Sequence, residues 1–305
     1  MPHRRSVFPA VNPALLGLAA ALFSPVAQAA PVGLETGLTA LAAQAKGQVG
    51  IAVTHIETGQ TTTVAGDKPL PTFSVMKLPV AIAILAEVEA GRLSLARTVH
   101  VSPADLVPGG PGNTERWADT PKDLTVQQLL DLSLVYSDNT SSEKLLALLG
   151  GPAGVTRKLA TLHQSQGLDV RGSFHNTDPR KFNRATPAAL VRLLASLWKG
   201  ELVARPQLDL LLDCMTRSPN GVRRLRGRLP PGTPVADKTG TGGDGAGTND
   251  VGFITLPPGK GHLAVAVLIA DSKLPPQQQE ELIAAIARAA YDAHLAPSGD
   301  QRTTD

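Results

Sequence analysis

The chain is 305 residues long, 42% hydrophobic and 18% charged, with a net charge of +3; this is a globular composition, long enough for one domain with two lobes or for two domains. The charge excess is mild and 3% of residues are aromatic, which argues against the basic face and stacking platforms of a dedicated nucleic-acid binder. A single cysteine, Cys214, excludes an internal disulfide. The seven histidines are scattered without zinc-ligand spacing, so neither a metal nor another cofactor is expected.

In chain order, the first residues read as a targeting segment. His3, Arg4 and Arg5 give a basic start, an Ala/Leu-rich run covers residues 15–23, and Ala27, Gln28 and Ala29 match the small-x-small cleavage pattern of a secretory signal peptide. Residues 1–29 are therefore expected to be removed on export to the periplasm or the medium. No second stretch is long and apolar enough to span a membrane as a helix, so the processed chain is expected to be free of the membrane.

Residues 34–45 carry helical spacing, and residues 49–56 and 61–65 read as strands joined through Thr58 and Gly59. A helix over 77–90 is stopped by Gly91. Thr125 and Gln128 form a capping box for a helix reaching about residue 134, followed by helices over 140–149 and 152–164. Thr186 caps another, with Pro187 in its first turn and Gly200 past its end, and 205–216 is the next. Strand character returns at 234–239, 249–256 and 262–270, before an amphipathic helix over 280–294. Strands at both ends of the chain must find partners. One antiparallel sheet built from both ends, with residues 77–217 as a helical lobe, is the simplest solution, and it puts a cleft between the lobes. The catalytic domain is expected to span 30–297, with 298–305 as a loose tail.

Ser-x-x-Lys occurs at Ser74/Lys77, Ser141/Lys144 and Ser196/Lys199. Ser74 alone lies between a loop and a strongly apolar helix. That puts it at a helix N-terminus, where free N–H groups and the positive dipole end favour an alkoxide and a developing oxyanion. Residues three apart share a helical face, so the Lys77 amine can meet the Ser74 hydroxyl. A lysine acts as a base only when neutral, and burial beside Leu78, Pro79 and Val80 would favour that form. The other two pairs read as solvated side chains on helix surfaces. Cys214, among Leu210, Leu211, Leu212 and Met215, reads as a buried structural thiol rather than a nucleophile. The Gly-rich stretch 240–247 follows a strand and leads into another, so it reads as a rim of the cleft and not as a nucleotide loop.

Two further tripeptides sharpen the reading. Ser137, Asp138 and Asn139 fall at a helix-to-helix junction, and Lys238, Thr239 and Gly240 end a strand. In this order the three elements resemble the signature of the penicillin-recognising serine hydrolases, class A β-lactamases among them. Residues 224–233 and 248–257 resemble one branch of class A. The resemblance implies an α+β fold of β-lactamase/transpeptidase type, in three α/β/α layers. It implies Ser74 as nucleophile, Lys77 as a candidate base for acylation and Ser137 as the relay to the leaving nitrogen. Asn139 would bind the substrate's amide side chain. Lys238, Thr239 and Gly240 would line the opposite wall, with Thr239 and Arg224 holding the substrate carboxylate. The backbone N–H groups of Ser74 and Thr241 would form the oxyanion hole.

The resemblance fails at one point. Class A β-lactamases carry a loop glutamate that activates the deacylating water, and this chain has no glutamate between Glu143 and Glu201. Arg171 or Ser173 falls near its place, and Asp169, His175 and Asp178 are candidate substitutes. The sequence therefore implies a monomeric β-lactamase-like hydrolase with slow deacylation. A D-alanyl-D-alanine peptidase acting on peptidoglycan stems and a non-turnover penicillin-binding sensor are the alternatives. The partner is a β-lactam or a D-Ala-D-Ala peptide.

Overall fold

The computed structural model describes residues 31–108, 113–243 and 246–296; the expected signal peptide and C-terminal tail lie outside the described residues. The helices are α1 (Leu34–Ala43), α2 (Lys77–Glu89), α3 (Asn113–Arg116), α4 (Val126–Val135), α5 (Asn139–Leu148), α6 (Gly151–Thr161), α7 (Pro187–Trp198), α8 (Arg205–Arg217) and α9 (Pro276–Leu295). The strands are β1 (Gln48–His55), β2 (Thr61–Val64), β3 (Leu70–Pro71), β4 (Thr98–Val101), β5 (Lys122–Thr125), β6 (Leu168–Asp169), β7 (Arg184–Ala185), β8 (Val235–Thr241), β9 (Gly247–Thr255) and β10 (His262–Ala270). Among the described residues no helix is long and apolar enough to cross a membrane.

The main sheet runs β2-β1-β10-β9-β8 and is antiparallel throughout. β1 pairs with β10 from Gln48↔Ala270 to His55↔Leu263, so the two chain ends close one sheet as the element order requires. The period-2 alternation of β10 sets the layers. Leu263, Val265, Val267 and Ile269 face α1 and α9, while Ala264, Ala266 and Leu268 face the helical lobe. The result is the three-layer α/β/α arrangement.

The core of the helical lobe is built on α2, which is buried without a break from Lys77 to Ala86. Burying each large apolar side chain there stabilises the fold by about 1.5–3 kcal/mol, so α2 is a rigid base for whatever its first turn carries. Two of the boundaries that differ from the sequence reading have a plain physical reason. α9 starts at Pro276, because proline is favoured in a first turn where its missing N–H costs nothing. β9 begins at Gly247, two residues earlier than the Val/Ile-rich run, because Thr248, Asn249 and Asp250 are themselves buried. The hairpin β4–β5 and the small sheet β3-β7-β6 were not expected. That small sheet closes the neck of the loop between β6 and β7.

Candidate active site

Ser74 sits in a 3₁₀ turn, Phe73–Met76, that runs straight into α2. Phe73 holds φ 48, a sparsely populated left-handed conformation for a bulky residue; its ring packs edge-on against Phe182 at 5.4 Å. On the other side β8 presses against the turn. A Cβ on Gly240 would lie 2.4 Å from the Thr72 carbonyl oxygen, so only glycine lets the strand carrying Lys238 and Thr241 come this close.

Lys77 opens α2 and is 1% exposed. Its Nζ lies 2.5 Å from the Ser137 carbonyl oxygen, 2.8 Å from Asn139 Oδ1 and 3.3 Å from Ser137 Oγ. Burial, and then the Lys238 charge, hold the amine well below the usual lysine range, against the pull of Asp138 and Glu143. A neutral amine has two N–H bonds and one lone pair. The two carbonyl oxygens take the N–H bonds, and the lone pair is left for a hydroxyl proton. Among the described contacts the amine is tied to the 137–139 element; none of its hydrogen bonds goes to the Ser74 hydroxyl.

That element lies between α4 and α5 and is held from both sides. Ser137 adopts φ 58, which turns its carbonyl onto Lys77. Asp138 caps α5, accepting from Ser141 N at 2.7 Å, and also receives Trp117 Nε1 at 2.9 Å. Asn139 Nδ2 donates to the Pro108 carbonyl at 2.7 Å. From β8, Lys238 Nζ donates to Ser137 Oγ at 3.0 Å. The Ser137 hydroxyl thus stands between two lysine amines. Burial pushes Lys238 down to about 8, with Asp250 and Asp237 opposing.

Ser74, Ser137, Asn139, Thr239 and Thr241 line one cleft of about 680 Å³, within the range of small-molecule sites. Arg224 is placed differently. It is 7% exposed and its guanidinium is taken up beneath β8, at Gly240 O, Asn249 O, Thr241 Oγ1 and Glu280. It holds the Thr241 hydroxyl at 2.8 Å and is not on the cleft wall. The expectation of surface side chains needs correction at Ser141/Lys144, where Ser141 is fully buried on Asp138 and Lys144 pairs with Asp105 at 2.7 Å; Lys199 of the third pair is exposed. Cys214 is buried, and that burial pushes its thiol up to about 12, so it is no nucleophile.

The model of the β-lactamase enzyme family matches residues 33–294. The chain belongs to that family. It is 32% identical to β-lactamase VEB-1 of Pseudomonas aeruginosa, over 81% of this chain and 86% of that one. It is 33% identical to the extended-spectrum β-lactamase PER-1 of the same organism, over 82% and 83%. A solved β-lactamase from Chitinophaga pinensis superposes with a TM-score of 0.77 at 34% identity, covering 86% of this chain and 99% of that one. These likenesses make the chain a class A β-lactamase-like hydrolase.

In this member of the β-lactamase family the loop between β6 and β7 is pinned by Asn183, which accepts from Arg171 N and Gly172 N at 2.8 and 3.0 Å. Asp169 pairs with Arg171, and Asp178 caps a short turn and pairs with Arg180; neither lines the cleft. Phe174, His175 and Asn176 do. The Phe174 ring lies 5.4 Å from Lys77 Nζ. Sequence reasoning missed Glu143, which accepts from Ser173 Oγ at 2.5 Å and Phe174 N at 2.6 Å. The available signal was its spacing. Four residues after Asn139 on α5, it falls on the same helical face.

Beneath Lys238 lie two buried acids, Asp237 and Asp250. Burial, and then the Asp237 charge, hold Asp250 well above the usual carboxylate range. The protonated form of Asp250 shares its proton with Asp237, which pairs with Arg226. Asp250→Asn keeps a donor but gives up one of the two oxygens that accept from Leu225 N and Val251 N, and is expected to cost about 1–2 kcal/mol. Asp237→Asn leaves the Arg226 charge on the Ser218 and Met215 carbonyl oxygens with no carboxylate beside it among the described residues, and is expected to cost about 3 kcal/mol. Denaturant midpoints at neutral pH check this, and equal losses would contradict a shared proton.

Proposed function

We propose that Ser74 attacks the carbonyl of a β-lactam ring and carries the acyl group, with Lys77 taking the hydroxyl proton. The observation that carries this reading is the pair of buried amines on Ser137 Oγ: Lys77, held well below the usual lysine range, at 3.3 Å and Lys238 at 3.0 Å. The proton removed from Ser74 reaches the leaving nitrogen through Ser137. The backbone N–H groups of Ser74 and Thr241 receive the oxyanion. Lys238, Thr239 and Thr241 hold the substrate carboxylate, and Arg224 acts by fixing the Thr241 hydroxyl. Asn139 keeps a second Nδ2 proton for the substrate's side-chain amide. The expected export segment would put this activity outside the cytoplasm, where cell-wall antibiotics act.

One observation favours a second reading. Phe174, not a carboxylate, faces Lys77 from the loop, which suits an enzyme that releases its β-lactam adduct slowly while turning over D-Ala-D-Ala peptides. Steady-state hydrolysis of a chromogenic cephalosporin and of a peptide ending in D-Ala-D-Ala, assayed side by side, tests the two. Turnover of the cephalosporin over many equivalents supports the lactamase. Turnover of the peptide alone supports the peptidase.

The two lysines also set a pH dependence. Lys77 must be neutral and Lys238 charged, so kcat/KM rises as Lys77 loses its proton and falls as Lys238 loses its own. For a carboxylate-bearing β-lactam the alkaline limb is expected at about pH 8, with up to tenfold loss per unit above it. Asp237→Asn removes a negative charge from beneath Lys238 and is expected to move that limb to lower pH.

A further inference from the structure

We propose that His175 is the base of the deacylation step, replacing the absent loop glutamate, and that Glu143 and Ser173 position it. This rests on the acyl-enzyme reading above. The Ser173 hydroxyl has one proton and touches two acceptors, Glu143 Oε1 at 2.5 Å and His175 Nδ1. Glu143 Oε1 also accepts the Phe174 N–H at 2.6 Å. A carboxylate accepts and does not donate, so the Ser173 proton belongs to Glu143. His175 Nδ1 must then carry the proton that it donates to Ser173 Oγ. In the neutral ring this tautomer leaves the Nε2 lone pair bare. Nε2 has no protein partner among the described residues, and His175 lines the same cleft as Ser74.

The chain Glu143–Ser173–His175 therefore does for the imidazole what a carboxylate does in a catalytic triad: it fixes the tautomer and steadies the cation. Glu143 Oε1 lies 3.6 Å from Nδ1. From α5 the charged group facing the ring is Glu143; from α2, Lys77 reaches the adjoining Phe174 ring. In the step itself, Nε2 takes a proton from water as the water oxygen bonds to the acyl carbon. The carbon–Oγ bond of Ser74 then breaks, and the Nε2 proton passes to Ser74 Oγ. Acid product and free enzyme result.

Acylation and deacylation are measured separately, by rapid mixing with benzylpenicillin and by intact mass. His175→Ala is expected to lower deacylation by about 10²–10⁴, with acylation within about twofold, and added imidazole is expected to restore release. Glu143→Gln keeps an oxygen for Ser173 and Phe174 but removes the charge. It is expected to lower deacylation by a smaller factor, without imidazole rescue. Release at the wild-type rate from His175→Ala, or a wild-type adduct that never turns over, would overturn the proposal. A wild-type protein that forms no Ser74 adduct would instead sink the acyl-enzyme reading on which it rests.

Discussion

Ser74→Ala is expected to remove β-lactam turnover and the covalent adduct together, while the protein stays folded. Loss of the nucleophile in a serine hydrolase lowers kcat on the order of 10⁶-fold, which takes this enzyme below detection. The fold has little to lose. Ser74 is half-buried and its hydroxyl makes no side-chain hydrogen bond among the described residues, whereas Val75 and Met76, which follow it in the turn, are buried. The melting temperature of Ser74→Ala is therefore expected to stay close to that of the parent. Retained turnover in this variant would mean that another group attacks the substrate.

Lys77→Met is expected to lower acylation by about 10²–10⁴, the usual contribution of a positioned base. Two effects combine here, and pH separates them. Removing the amine strips a hydrogen bond from the buried Ser137 carbonyl, which costs about 1–3 kcal/mol of local order and lowers the rate at every pH. Removing the base also erases the acidic limb of the kcat/KM profile, which loss of a structural hydrogen bond does not do. Lys77→Arg is the stringent companion. A guanidinium keeps donors but brings a permanent charge and does not give up its proton at any accessible pH, so it is expected to fail in acylation. An active arginine variant would show that the charge at this position matters and not the lone pair.

The elements that sequence made legible are those whose pattern is long enough to repeat. The unbroken apolar run of α2, the Thr125/Gln128 capping box of α4 and the Val/Ile alternation of β10 each fix their own geometry. The strands β3, β6 and β7 are two residues each, too short for any periodicity, and they exist because β3 and β6 meet β7 from opposite sides. The site divides in the same way. Ser74, Lys77, Ser137 and Lys238 stand out because each sits in a local motif with a local reason. Arg224 was assigned to the substrate because an arginine suits a carboxylate, but burial beneath β8 directs it to backbone carbonyls and Thr241. Glu143 escaped notice because the expected glutamate belongs to the loop, and this one reaches the loop from α5. Its partner is set by tertiary packing, which no spacing along the chain records.

The measurement that bears most directly on the central claim is an intact-mass time course of the processed protein with benzylpenicillin, followed by peptide mapping of any adduct. The account predicts a single adduct with the full mass of the antibiotic, located on Ser74, forming first and then decaying to free protein as product accumulates. No adduct and no loss of antibiotic, or an adduct on a residue other than Ser74, would contradict it.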